Sequence, residues 1–254
     1  MTAIECYGMT DAGGVSGDNE DAFVTDAGQG ICVVADGMGG RSGGALAGRT
    51  AAAALHAALA ALPPEMRLES SALRGAMTDA NQAVRAAAAL DPMLEGMGAA
   101  VSAVAVSQGR CGVVHIGDCR VYLLRGGTLR QLTQDHTLVA ELVARNHLSP
   151  EGALRHPLRH VLAKSVGTGD AVEADTATLE LSPGDLLLLA TDGLTKGLDE
   201  ADILAALSVR GSSRLQDACR VLMNQALQND PGDNITVVLV RYPAPGSNGC
   251  ESGV

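Results

Sequence analysis

Acidic side chains recur where apolar runs begin or end, a placement suited to holding hard cations. Asp36 follows Ile31-Cys-Val-Val-Ala35, and Asp118 follows Val113-Val-His-Ile-Gly117. Asp192 follows Leu186-Leu-Leu-Leu-Ala-Thr191, and Asp233 precedes Asn234-Ile-Thr-Val-Val-Leu-Val240. Glu20-Asp21 precedes a shorter run, Ala22–Thr25. Strand ends within one sheet lie close together, so these carboxylates are expected to converge on one rim. Converged carboxylates repel in a low dielectric unless a cation compensates them. Every candidate donor is an oxygen and no Cys/His quartet accompanies them, which favours Mg²⁺ or Mn²⁺ over zinc. One Asp after a strand is ordinarily a turn or cap residue. Repetition is what distinguishes this chain: Asp36-Gly37, Gly117-Asp118 and Asp192-Gly193 each close a buried run.

The stretch from Asp36 to Gly44 (DGMGGRSGG) is rich in glycine, but it matches neither nucleotide loop. A dinucleotide fingerprint would need Gly where Ser42 stands, and a P-loop would need a lysine nearby. An Asp followed by glycines lets a backbone carbonyl approach an ion, which fits metal binding better.

The elements that must position these residues are legible in the hydrophobic pattern. Strands are expected at 31–35, 99–106, 112–116, 120–125, 185–190 and 234–242, all rich in Val, Ile and Leu. Gly126-Gly127 reads as a tight hairpin turn, so 110–116, 120–125 and 128–132 are expected as an antiparallel meander. Ala- and Leu-rich segments predict helices over 44–62, stopped by Pro63-Pro64, and over 70–90, capped by Ser70 or Ser71. Shorter helices are expected at 136–146, at 200–208 with Asp199 as cap, and at 213–228 with Ser212 or Ser213 as cap. Strict strand–helix alternation is absent, so the fold class is α+β with antiparallel sheets covered by helices. Residues 1–242 are expected to form one domain, and 243–254 (PAPGSNGCESGV) a disordered tail.

Composition excludes several partners. The 254 residues carry a net charge of −11, which opposes binding to duplex nucleic acid and to anionic membranes. Aromatics make up 2%, too few for a base-stacking platform. An anionic substrate would therefore need local positive charge, such as metal ions. Nearly all the basic residues are Arg; the lysines are Lys164 and Lys196. The six cysteines show no framework spacing and are read as reduced. With no apolar signal segment and no apolar run of membrane-spanning length, the expected location is cytoplasmic.

Seven segments, in order, resemble the metal-dependent protein phosphatases of the PP2C (PPM) family in their compact bacterial form. They are Asn19-Glu-Asp-Ala22, Val34-Ala-Asp-Gly-Met-Gly-Gly40, Gly96-Met-Gly98 and Gly117-Asp-Cys-Arg-Val-Tyr122. Leu132-Thr-Gln-Asp-His-Thr137, Ala190-Thr-Asp-Gly-Leu194 and Gly232-Asp-Asn-Ile-Thr236 follow. Each alone is weak; the ordered set, spanning about residues 5–242, is specific. The fold implied is a four-layer αββα sandwich, two antiparallel sheets flanked by helix pairs. The resemblance implies two Mn²⁺ or Mg²⁺ ions held by Asp36, the Gly37 carbonyl, Asp192 and Asp233. It assigns Asp21, with Glu20, to the outer shell of carboxylates, and Asp118 with Asp192 to a third, weaker ion.

The reaction implied is hydrolysis of phosphoserine or phosphothreonine in proteins by a water that the two ions activate, in line with the leaving oxygen. Asp36, Asp192, Asp233 and Asp21 carry it. The partners implied are phosphorylated proteins, including a bacterial Ser/Thr kinase and its targets, and the expected oligomeric state is a monomer. One departure stands out. Where the family usually has a phosphate-pairing Arg, five residues before Asp21, this chain has Ser16. A hydroxyl cannot replace a bidentate guanidinium, so weaker phosphate binding is expected. Arg41 is the candidate substitute, and Arg155 and Arg159, on a segment (145–168) that the resemblance identifies as a mobile flap, are candidate substrate contacts. Met38 stands where eukaryotic relatives often have a His acid, leaving water to protonate the leaving group. His136 is expected to be structural, and His156 and His160, though four apart, to lack a metal role. Ser16 keeps a second reading open, a catalytically weak phosphoprotein-binding module.

Overall fold

The computed structural model describes residues 4–15, 17–208 and 214–243, without the side chains of residues 40–42. Ser16, the expected caps Ser212 and Ser213, and residues 244–254 of the expected tail lie outside the described residues, as does the side chain of Arg41.

Among the described residues, ten strands form two five-stranded antiparallel sheets. The first has the order β1 (Glu5–Asp11), β10 (Ile235–Arg241), β9 (Leu186–Ala190), β6 (Arg120–Arg125), β7 (Thr128–Gln131). The second has the order β2 (Asp21–Asp26), β3 (Ile31–Met38), β4 (Gly98–Ser107), β5 (Arg110–Ile116), β8 (Asp175–Glu180). Helices α1 (Gly40–Ala60) and α2 (Ser70–Ala88) cover the second sheet. Helices α5 (Asp192–Gly197), α6 (Glu200–Ser208) and α7 (Leu215–Gln228) cover the first. Two short helices, α3 (Leu138–Ala144) and α4 (Pro150–Leu154), lie between β7 and β8 in the chain.

The unbroken apolar runs have a direct structural cause: the central strands are buried on both faces. Along β3, Ile31, Val33 and Ala35 pack under α1 and α2, while Cys32 and Val34 enter the layer between the sheets. In β10, Ile235, Val237 and Leu239 face α7, and Val238 and Val240 face the opposite sheet. Alternation of period two is present, but it separates two apolar environments rather than core from water. The result is the expected four-layer α+β sandwich.

Three expectations are corrected. The anticipated meander is not one sheet: β6 pairs with β7, but β5 pairs with β4 and β8 in the other sheet. The chain crosses between sheets at Gly117–Cys119, which hydrophobicity could not reveal because both sheets bury both faces. Second, the acidic strand ends do not share one sheet; they meet across the seam between two. Third, Ser70 and Ser71 are not caps, since α2 begins after Glu69, which makes no side-chain cap bond. Edge strands β1 and β8, and helices α4 and α5, carry too weak a pattern to be anticipated. Helix α1 ends at Ala60, before Pro63-Pro64, where the buried Arg67 guanidinium donates to the carbonyls of Ala60 (3.2 Å) and Leu62 (2.9 Å).

The crossover is pinned from several sides. Gly117 has φ +96°, and a Cβ there would lie 2.3 Å from the Ala100 Cβ. Ser102 Oγ donates to the Cys119 carbonyl (2.6 Å) and is 2.9 Å from His115 Nδ1. The Gly117 N–H donates to His136 Nδ1 (3.2 Å), whose ring lies 4.7 Å from that of His115. This confirms a structural place for His136. Gly117→Ala combines a clash with a disfavoured φ, so it should lower unfolding free energy by about 1–3 kcal/mol. Urea denaturation of the metal-free protein measures this; an unchanged midpoint would contradict it.

Candidate metal centre and active site

The acidic residues converge where the two sheets meet. Asp21 and Asp36 are register partners on β2 and β3. Asp192 opens α5 directly after β9, Asp233 stands just before β10, and Asp118 sits on the crossover between β5 and β6. Carboxylate oxygens of Asp36, Asp118 and Asp192 lie within 4.8 Å of one another. Asp21 and Asp118 are buried.

Glycines make this approach possible. A Cβ on Gly37 would fall 1.9 Å from the Gly44 carbonyl oxygen and 2.8 Å from that of Glu20. On Gly193 it would fall 1.9 Å from the Asn234 carbonyl oxygen. The glycine-rich stretch thus lets the first turns of α1 press against Glu20 and Gly37. Hydrogen bonds tie the sheets together at the same level. Asn234 Oδ1 accepts from the Glu20 N–H (2.8 Å), and Thr191 Oγ1 donates to Asp21 Oδ2 (2.7 Å) while accepting from the Thr236 N–H (2.9 Å).

The electrostatics are those of a cation site. Burial, opposed by the threonine hydroxyls and reinforced by Asp192 and Asp233, pushes Asp21 up to about 7. Burial and the charges of Asp192 and Asp135 push Asp118 up to about 7. Asp36 is raised well above the carboxylate range by burial and then by Asp21, Asp192, Asp118 and Asp233. Glu20 is raised by burial and by Asp233 and Asp18. Asp192 Oδ1 is buried with no hydrogen-bond partner. An orphaned carboxylate oxygen amid clustered oxygen donors fits a hard divalent cation.

Lys196 and Arg159 bring positive charge nearby, and His160 stands with them, its pKa lowered by burial and by the charges of Lys196 and Arg159. Lys196 Nζ lies 2.6 Å from Asp192 Oδ2 and 2.5 Å from Asp233 Oδ2. His160 Nδ1 is 4.0 Å from Asp192 Oδ2, so it stands beside the cluster, whereas the His156 ring nitrogen accepts from the Leu158 N–H. A cavity of about 1160 Å³ opens at Asp118 and Asp192, and Arg159, His160 and Lys196 line it. Arg159 is exposed there; Arg155 is exposed and is not part of the lining. Met38 pairs with Gly98 across β3 and β4 and brings no titratable group. Sequence reasoning missed Thr191, Thr236 and Lys196 as members of the site. Only Lys196 had a usable signal: one of two lysines, four residues after Asp192 and hence on its helix face.

A family profile described as "Protein phosphatase 2C" matches residues 12–229. The chain belongs to this family. It is 37% identical over 230 residues to the serine/threonine protein phosphatase PstP of Mycobacterium tuberculosis, covering 91% of this chain and 43% of PstP. The chain thus spans less than half the length of that relative. Over 237 residues it is 35% identical to the serine/threonine phosphatase Stp of Listeria monocytogenes, covering 91% of this chain and 93% of Stp. The PstP catalytic domain solved with two manganese ions superposes with a TM-score of 0.82 at 32% identity, covering 95% of this chain and 99% of that one. Among the described residues, no helix is long and apolar enough to cross a membrane.

The raised carboxyls set a pH dependence. Asp21 and Asp118 have folded pKa values near 7, above the usual value near 4. Their contribution to stability is present in full below about pH 4 and is lost as pH rises through about 7. Scanning calorimetry of the metal-free protein should show Tm falling from pH 5.5 to 8. Added Mn²⁺ should raise Tm more at pH 8 than at pH 6, because protons compete for the same oxygens. A metal-free Tm that is flat or rising over that range would contradict this account.

Proposed function

We propose that the chain is a metal-dependent protein serine/threonine phosphatase, acting on phosphoserine and phosphothreonine in proteins. The observation that carries this reading is the meeting of Asp36 with Asp118 and Asp192, the latter two lining a large cavity that also bears Arg159 and Lys196. Family membership and the names of the relatives agree with it.

In this reading Asp36, the Gly37 carbonyl, Asp192 and Asp233 would hold two Mn²⁺ or Mg²⁺ ions, and Asp118 with Asp192 a third. Such ions lower the pKa of a coordinated water and offset the charge on phosphoryl oxygens. The protein's own residues do the positioning. Thr191 fixes the orientation of Asp21, whose carboxylate, with Glu20, faces the cluster from the β2 side and is suited to accept a proton from water. The backbone at Gly37 is kept close by the contacts that exclude any larger residue. Arg159 and the cavity wall would receive the phosphorylated segment. With Met38 at the end of β3, water protonates the leaving hydroxyl. Burial pushes the Cys111 and Cys219 thiols up to about 12, away from the thiolate, so neither is suited to act as a nucleophile.

The partners proposed are phosphorylated proteins, among them a Ser/Thr kinase and its targets. We place residues 1–242 as the catalytic unit, acting as a cytoplasmic monomer. Support for the compartment comes from the described cysteines Cys6, Cys32, Cys111, Cys119 and Cys219, all of which are free thiols. The reading as a weak phosphoprotein-binding module rests on Ser16 alone.

Chelator-treated protein should hydrolyse a phosphothreonine peptide only after Mn²⁺ is restored, and faster than it hydrolyses a small aryl phosphate. Absence of turnover with Mn²⁺ bound would favour the binding module. Asp192→Asn should reduce kcat by about a thousandfold or more, since it removes a charge shared by the cluster. Retained activity would overturn the ligand assignment. Ser16→Arg should lower KM for the phosphopeptide several-fold by supplying a bidentate contact; an unchanged KM would contradict the role given to that position.

A further inference from the structure

The acidic cluster already contains one cation. Lys196 sits in the last turn of α5, four residues after Asp192, so its side chain shares the face of Asp192. Its ammonium lies 2.6 Å from Asp192 Oδ2 and 2.5 Å from Asp233 Oδ2, bridging residues that come from different elements. The side chain is 21% exposed and borders the 1160 Å³ cavity, so the flexible four-carbon stem has room to withdraw. The other nearby basic group, His160, is farther from Asp192, at 4.0 Å.

We propose that Lys196 is a tethered cation that occupies the Asp192–Asp233 end of the cluster and competes with a divalent ion for it. The proposal rests on the metal reading of the site given above. An ammonium and a divalent ion cannot be held by the same two oxygens without strong repulsion. Entry of a metal at this end therefore requires Lys196 to leave, and its contacts are subtracted from the metal's binding free energy. In the metal-free protein the same contacts compensate two carboxylates that would otherwise repel across the seam. Lys196 thus trades metal affinity for metal-free stability, and it weakens one end of the site. Asp192 also clusters with Asp36 and Asp118, and its Oδ1 has no hydrogen-bond partner, so Lys196 leaves part of the cluster uncompensated.

The alternative role, a clamp that pre-arranges the two aspartates for metal, predicts the opposite sign, and this makes the proposal testable. Mn²⁺ is titrated by calorimetry into chelator-stripped wild-type protein and into K196Q, K196M and K196R at one pH and salt concentration. K196Q and K196M should each bind at least one Mn²⁺ about tenfold more tightly than wild type, a gain of about 1.4 kcal/mol. K196R, which keeps the charge, should bind like wild type. Metal-free K196Q should melt below metal-free wild type, while the Mn²⁺-saturated proteins should melt together. Unchanged or weaker binding in both neutral variants would overturn the proposal. If wild type takes up no Mn²⁺, the metal reading itself fails. Uptake by wild type with no gain in K196Q defeats only the role of Lys196. Should the stripped neutral variants not fold, competition between folded, Mn²⁺-loaded protein and chelators of graded strength measures the same affinity difference.

Discussion

Repulsion among Asp21, Asp36, Asp118, Asp192 and Asp233 is the constraint around which this protein is arranged. Five carboxylates gathered in a partly buried seam oppose folding unless protons or cations neutralise them. Burial first, and the neighbouring carboxylates second, raise the pKa values of Asp21, Asp36 and Asp118. A sandwich of two sheets can sustain it because the groups sit at strand ends, while the stabilising apolar area lies in three layers elsewhere. Unfavourable charge and favourable burial are separated in space but joined through the same strands.

Holding the cluster together is the task of short-range contacts that few residue types could make. Gly37 and Gly193 bring backbone to within distances that any side chain would block. Thr191 and Asn234 reach from the first sheet to Asp21 and Glu20 of the second. The Ser102–His115–His136 group fixes the crossover that delivers Asp118. Each of these contacts helps set the position of a carboxylate. Ordered acidic ligands on rigid strand ends are what a preorganised cation site requires.

On the proposed function, the cavity beside the cluster would let one surface serve both ions and a phosphorylated chain. Asp118 and Asp192 form its acidic end, and Arg120, Arg159 and Lys196 place positive charge along it. A protein with a net charge of −11 would repel phosphoproteins at long range. On the proposed function, attraction must therefore be local, at the cavity where Lys196 and Arg159 stand and where the acidic cluster would hold cations.

Much of this was legible in one dimension. The buried runs β3, β5, β6, β9 and β10, the long helices, the α+β class and every acidic member of the cluster follow from local composition and ordered motifs. Such features depend on the residues within a single element, so a linear pattern records them. The partition of strands between sheets was not legible, because a strand buried on both faces reads the same in either sheet, and β5 and β6 were wrongly joined. Nor could a linear pattern anticipate that Thr191 would hold Asp21 from 170 positions away, or that Lys196 would bridge Asp192 and Asp233. The sequence determined which groups carry charge and which strands carry them; only the tertiary structure decided which charges meet, because Coulomb energy depends on distance in space and not on separation along the chain.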